Sequence, residues 1–97
     1  MKRIVVLGGL GLFGRTVREQ LNVLGISTMI AARRGRADIQ VDANDADSIR
    51  SSFSAGDIVI DAAGPFRKRS MALVEAAIEI GFEIGRASCR ERVYVLV

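Results

Sequence analysis

Histidine and tryptophan are missing from these 97 residues, and cysteine, proline and tyrosine occur once each. Without histidine the commonest general acid–base group is gone and a metal site is disfavoured. A single cysteine builds no disulfide framework, so a reduced, cytoplasmic setting is the expectation. No apolar run approaches the length that spans a bilayer. Lys2 and Arg3 precede only about four strongly apolar residues before glycines begin, which is too short for a secretory leader. What remains is one small domain with a modest core and a hydrophobic content of 49%.

The calculated isoelectric point of about 9.8 invites a nucleic-acid reading. The charge, however, is unevenly placed. Residues 1–83 hold 11 Lys and Arg against 10 Asp and Glu, whereas residues 84–97 hold three Arg and one Glu. The basic character therefore belongs largely to the last fourteen residues, and aromatic residues that could stack on bases are absent near Arg33, Arg34 and Arg36. No nucleic-acid partner and no membrane partner are expected.

Residues 4–14, Ile-Val-Val-Leu-Gly-Gly-Leu-Gly-Leu-Phe-Gly, are the richest stretch. A β-branched run ends in a turn holding Gly8, Gly9, Gly11 and Gly14, and an amphipathic segment follows at once. Gly9-x-Gly11-x-x-Gly14 at a strand-to-helix junction suits a dinucleotide pyrophosphate. The first glycine turns tightly, the second admits phosphate to bare backbone, and the third lets helix pack on strand. The helix N-terminus, opening at Leu12 and Phe13, adds unpaired N–H groups and the positive end of its dipole. Gly8-x-x-Gly11-x-x-Gly14 fits the looser spacing of extended short-chain reductases equally well. Gly9-x4-Gly14-Arg15-Thr16 comes near a triphosphate loop, but Arg15 stands where that loop needs lysine. A purely structural glycine turn is the plain alternative.

The rest of the chain alternates strand and helix signals with short connections, which predicts a parallel α/β sheet of the Rossmann type. Strands are expected at residues 3–7, 27–32, around Ile39 and Val41, and at 57–61. The first helix runs from Leu12 to Leu24 with Phe13, Val17, Leu21 and Leu24 on one face, and Gly25 ends it. Asn44 or Asp45 caps a second helix that carries Ile49 and Phe53. Ser70 caps a third, whose inner face is Leu73, Val74, Ala77 and Ile78 and which stops at Gly81. The expected strand order is 3-2-1-4, an incomplete sheet in which a fifth strand beginning at Phe82 is replaced or lost. The edge of strand 4 is then bare and invites self-association.

An acidic residue at the end of strand 2 would bond the ribose 2′-OH of NAD. This chain has Ala31-Ala32-Arg33-Arg34-Gly35-Arg36 there. Guanidinium groups bind a 2′-phosphate bidentately where a carboxylate repels it, so NADP is favoured over NAD, with Arg33 or Arg34 as the clamp. Asp42, after strand 3, could meet the adenine edge or simply make a turn. After strand 4, Asp61-Ala-Ala-Gly-Pro-Phe66 brings the small residues Ala63 and Gly64 to a strand's carboxyl end, where backbone can approach a cofactor, and Pro65 stiffens the exit.

These elements together, with Leu-Val-Glu-Ala-Ala-Ile-Glu-Ile-Gly at 73–81, resemble the N-terminal NAD(P)-binding domain of the saccharopine dehydrogenase-like family over residues 2–82. Ala-Gly-Pro-Phe is the most specific part of the likeness. The resemblance implies pyrophosphate binding at Gly9, Gly11, Phe13 and Gly14, and ribose contacts from Arg33 and Arg34. It places Ala63, Gly64 and Pro65 along the cofactor toward nicotinamide. It also implies a homodimeric parent enzyme that transfers hydride between NADP(H) and a small substrate through a second domain. A rival expectation is a non-catalytic NADP-binding redox sensor of the atypical short-chain reductase type.

Residues 84–93, Ile-Gly-Arg-Ala-Ser-Cys-Arg-Glu-Arg-Val, resemble a conceptual translation of a widely used short-read sequencing adapter. Native sequence is therefore expected to stop near Phe82, with 83–97 a non-native tail and the fragment inactive. Cys89 and Tyr94 fall in that tail and are not offered as catalytic groups.

Overall fold

The computed structural model describes residues 3–62, 71–87 and 93–95. Its strands are β1 (Ile4–Leu7), β2 (Met29–Ala32), β3 (Ile39–Gln40), β4 (Ile58–Asp61), β5 (Glu83–Ala87) and β6 (Val93–Val95). Between them run the helices α1 (Leu12–Val23), α2 (Ala46–Ser52) and α3 (Ala72–Ile80). The sheet order is β3-β2-β1-β4-β5-β6, parallel through β5, with β6 antiparallel at the end. The expected order 3-2-1-4 holds.

One expectation fails at the sheet edge. β4 is not bare, because Glu83–Ala87 pairs alongside it with Val59 opposite Ile84 and Asp61 opposite Arg86. Strand pairing uses backbone groups that every residue supplies, so a segment of unpromising composition can still complete a ladder. Ile84 also fills the core, at 1% exposure. It lies two residues past Phe82, on the same face of the extended chain, and Phe82 stands edge-on to Phe53 with ring centroids 5.3 Å apart.

The two faces of the sheet are covered unequally. Val5, Leu7, Ala31 and Val59 meet α2 and α3 through Ile49, Phe53, Leu73, Ala76 and Ala77. Val6, Ile60 and Ala62 on the opposite face meet α1 through Val17 and Leu21. Residues 33–38 join β2 to β3 without a helix, so among the described residues α1 has no companion helix on its side. A depression of about 350 Å³ opens there, lined by Arg18, Asn22, Thr28, Ile30 and Asp38 among others.

Local chemistry explains the helix ends. Gly25 takes φ +79°, its N–H donates to Asn22 O, and the Ile26 N–H donates to Leu21 O, which is a Schellman closure. That closure puts Leu24 at the cap, 73% exposed, and not on the buried stripe. Asp45 accepts from the Asp47 and Ser48 N–H groups and caps α2 as expected. Gly81 ends α3 at φ +97°. The inner face of α3 is Leu73, Ala76 and Ala77, with Val74 and Ile80 at its margin. Ile78 is 70% exposed instead, because the 73-76-77-80 stripe points it away from the sheet. The expected cap Ser70 lies outside the described residues.

Candidate functional site

The glycine turn sits at the carboxyl edge of the sheet, where β1 runs between β2 and β4. Leu7 is level with Ala31 on one side and Asp61 on the other. The Gly8 N–H donates to Ala31 O at 2.7 Å, and the Gly11 N–H closes a four-residue turn onto Gly8 O at 3.0 Å. Gly8 has φ +80°, so it is Gly8, and not Gly9, that performs the left-handed turn. The spacing alone did not reveal this, since both registers of the motif fit.

Gly14 is required for a different reason. A Cβ there would collide with Gly8 O and stand 2.7 Å from Gly9 Cα. Only a bare backbone lets α1 close down on the turn, which is the helix–strand packing role assigned to the last glycine. Gly9 is tight as well: a Cβ would meet Ile30 Cγ2 and Val6 O at 3.1 Å. Gly11 is the N-cap of α1 in an extended conformation with no side-chain cap, and the first turn holds no acidic residue. The first turn of α1, with Leu12 and Phe13 in it, thus has neither a side-chain cap nor an acidic residue, the arrangement that suits an outside anion.

Arg33 and Arg34 follow β2 directly and are exposed. Their loop is held beside the turn: Gly35 has φ +84°, and a Cβ there would stand 2.9 Å from Leu10 Cδ1. Among the described residues the ion pairs are Arg3–Asp57, Arg50–Asp47 and Arg50–Glu79, so no carboxylate there neutralises Arg33 or Arg34. Asp38, the nearest acid along the loop, accepts from the Ile30 N–H at 2.8 Å.

Asp42 is half-buried and makes a turn. Its Oδ1 accepts from the Asn44 N–H at 3.0 Å, and its own N–H donates to Ser48 Oγ at 2.9 Å. It stands after β3 at the same sheet edge, one strand beyond the arginine loop. Ala62 follows β4 with its N–H donating to Leu7 O at 2.9 Å, at the carboxyl end of β1 just before the glycine turn. Ala63, Gly64 and Pro65 lie outside the described residues. Gly9, Gly11, Gly14, Arg33 and Arg34 are thus brought to one edge. Gly8, of the alternative motif spacing, joins them, as do Arg18 and Gly35, which the sequence did not single out. Among the described residues no cluster of metal-ligating side chains occurs, and no helix is long and apolar enough to cross a membrane.

Solved structures share this architecture. The chain superposes on uronate dehydrogenase from Agrobacterium tumefaciens with a TM-score of 0.67 and 25% identity, covering 91% of this chain and 41% of that one. A variant of the same enzyme is complexed with NAD. A short-chain dehydrogenase/reductase superfamily protein from the same organism, with bound NAD, gives 0.64 and 20% identity over 91% and 32% of the two chains. The protein lin1944 from Listeria innocua gives 0.63 and 22% over 84% and 50%. The chain spans half or less of each of these structures. No protein-family profile and no curated protein sequence matches it. The fold is the Rossmann-type fold that these structures share.

Proposed function

We propose that this chain is the cofactor-binding part of an NADP-dependent oxidoreductase. The observation that carries the choice of cofactor is the pair of exposed arginines, Arg33 and Arg34, held beside the glycine turn by the Leu10–Gly35 contact. Pyrophosphate would lie over Gly9, Gly11 and the first turn of α1, and the 2′-phosphate would meet the Arg33 or Arg34 guanidinium. The nicotinamide supplies hydride chemistry when bound, while the chain's own residues bind and orient it. The intact enzyme would exchange hydride with a small substrate whose contacts lie outside this chain.

Two parent classes suit these residues. The Ala63–Phe66 element, with the rest of the sequence likeness, supports a saccharopine dehydrogenase-like parent. The positive φ of Gly8 and its spacing to Gly11 and Gly14 support an extended short-chain reductase, and one solved neighbour is a short-chain dehydrogenase/reductase superfamily protein. Residues 84–93 remain, on this reading, translated adapter. Sequencing the source DNA across codons 80–97 decides both matters, since genomic codons for Ile84–Val93 would remove the adapter reading and a native continuation would show the parent class. Cofactor choice is read by titrating the protein with NADPH and NADH. Tighter NADPH binding is expected, and equal or tighter NADH binding would overturn the role given to Arg33 and Arg34.

A further inference from the structure

Arg18 lies one helical turn beyond Gly14 on α1, is half-buried, and donates from Nη1 to Gly9 O at 2.8 Å. That carbonyl belongs to the central peptide of the Gly8–Gly11 turn, the peptide that rotates when such a turn changes type. A peptide unit is planar and trans, so its C=O and the next N–H point in opposite directions. With Gly9 C=O held toward the Arg18 guanidinium, the Leu10 N–H is turned the other way. Rotation of this peptide would bring a partial negative charge round to the ligand side of a turn whose use is to receive an anion.

We propose that Arg18 is a positioning residue for the pyrophosphate site: it holds the Gly9 carbonyl away from the anion by a charged hydrogen bond from behind the turn. The proposal rests on the dinucleotide reading above. It assigns Arg18 no contact with the cofactor. The hydrophobic stem shares in the arrangement, since Cδ stands 3.3 Å from where a Gly9 Cβ would be, so the stem packs on the turn and the head group bonds it. A charged donor is stronger than a neutral one, and the half-buried setting limits competition from water.

The test uses Arg18→Met, which keeps the stem and loses the bond, and Arg18→Lys, which retains a charged donor. Each is titrated with NADPH, with ADP, which carries a diphosphate, and with 2′-AMP, which does not. Arg18→Met is expected to weaken NADPH and ADP by about tenfold, the loss of one charged hydrogen bond. It should leave 2′-AMP binding unchanged and lower the melting temperature by only a few degrees, with a folded baseline at the titration temperature, and Arg18→Lys should recover most of the lost affinity. Unchanged ADP and NADPH affinity in Arg18→Met overturns the proposal. So does an equal loss for 2′-AMP, which would mark a general structural role. If the unaltered protein binds neither NADPH nor ADP, the dinucleotide reading itself falls and this inference with it.

Discussion

The two ends of the same parallel sheet are finished in opposite ways. At the amino end, side chains close everything. Arg3 precedes β1 and Asp57 precedes β4, and the guanidinium bonds both carboxylate oxygens, at 3.0 Å from Nε and 2.6 Å from Nη2. The same Nη2 reaches Ser52 O, and the Ser54 N–H also donates to Asp57. Asp57 is 4% exposed, and its bond to the Arg3 guanidinium holds its carboxyl below the usual range against the opposing effect of burial. At the carboxyl end, glycines replace side chains, α1 starts without a side-chain cap, and arginines stand unneutralised by any described carboxylate. One end spends its polar groups on the fold. The other, on the proposed reading, keeps them for a ligand.

That division can be broken most severely at Gly14. Gly14→Ala drives a methyl into the Gly8 carbonyl and forces α1 off β1, with an expected loss of about 3 kcal/mol in a denaturant melt and loss of cofactor binding. Asp57→Asn comes next, at about 2 kcal/mol, a figure below that of a fully buried pair because Arg3 is partly solvated. It should leave NADPH affinity alone. Because the folded pKa of Asp57 is depressed, the pair's contribution is complete above the unfolded value of about 4 and fades as pH falls through the folded value. Wild type and Asp57→Asn should therefore converge in stability under strong acid, in urea melts run at several pH values.

The effects that sharpen the contrast are smaller. Replacing Arg33 and Arg34 by serine should weaken NADPH by about tenfold while leaving NADH within about twofold, read by calorimetric titration. Stability should stay within about 0.5 kcal/mol, as both side chains are exposed. Asp45→Ala removes the cap of α2, remote from the turn, and should cost about 1 kcal/mol with no change in cofactor affinity.

Much of this arrangement is legible in the residues themselves. Continuous apolar runs at 4–7 and 58–60, β-branched except for Leu7, give buried central strands, and Gly25 and Gly81 mark helix ends by needing positive φ. The site glycines are legible as a group, but not their division of labour, because two motif spacings share Gly11 and Gly14 and only backbone angles separate Gly8 from Gly9. Arg18 has the look of a solvated helix residue. Its bond depends on the close approach of α1 that Gly14 permits, which is a tertiary consequence. Ile84 alternates with Phe82 in the manner of a strand, yet the adapter-like composition around it masks that signal. Ile78 shows the limit of a short helix, where a one-residue rotation of the buried stripe moves an apolar side chain into water.

The central claim is that the carboxyl end of this sheet, and not the amino end, receives the pyrophosphate of a dinucleotide. The direct measurement is an amide-resolved NMR titration of the uniformly ¹⁵N-labelled protein with NADPH. Shifts centred on Gly8–Arg15, the Arg33–Arg36 loop and the amides of Ala63 and Gly64, with Arg3 and Asp57 unmoved, are the predicted result. An absence of shifts at the glycine turn, or shifts centred on the Arg3–Asp57 end, would contradict it.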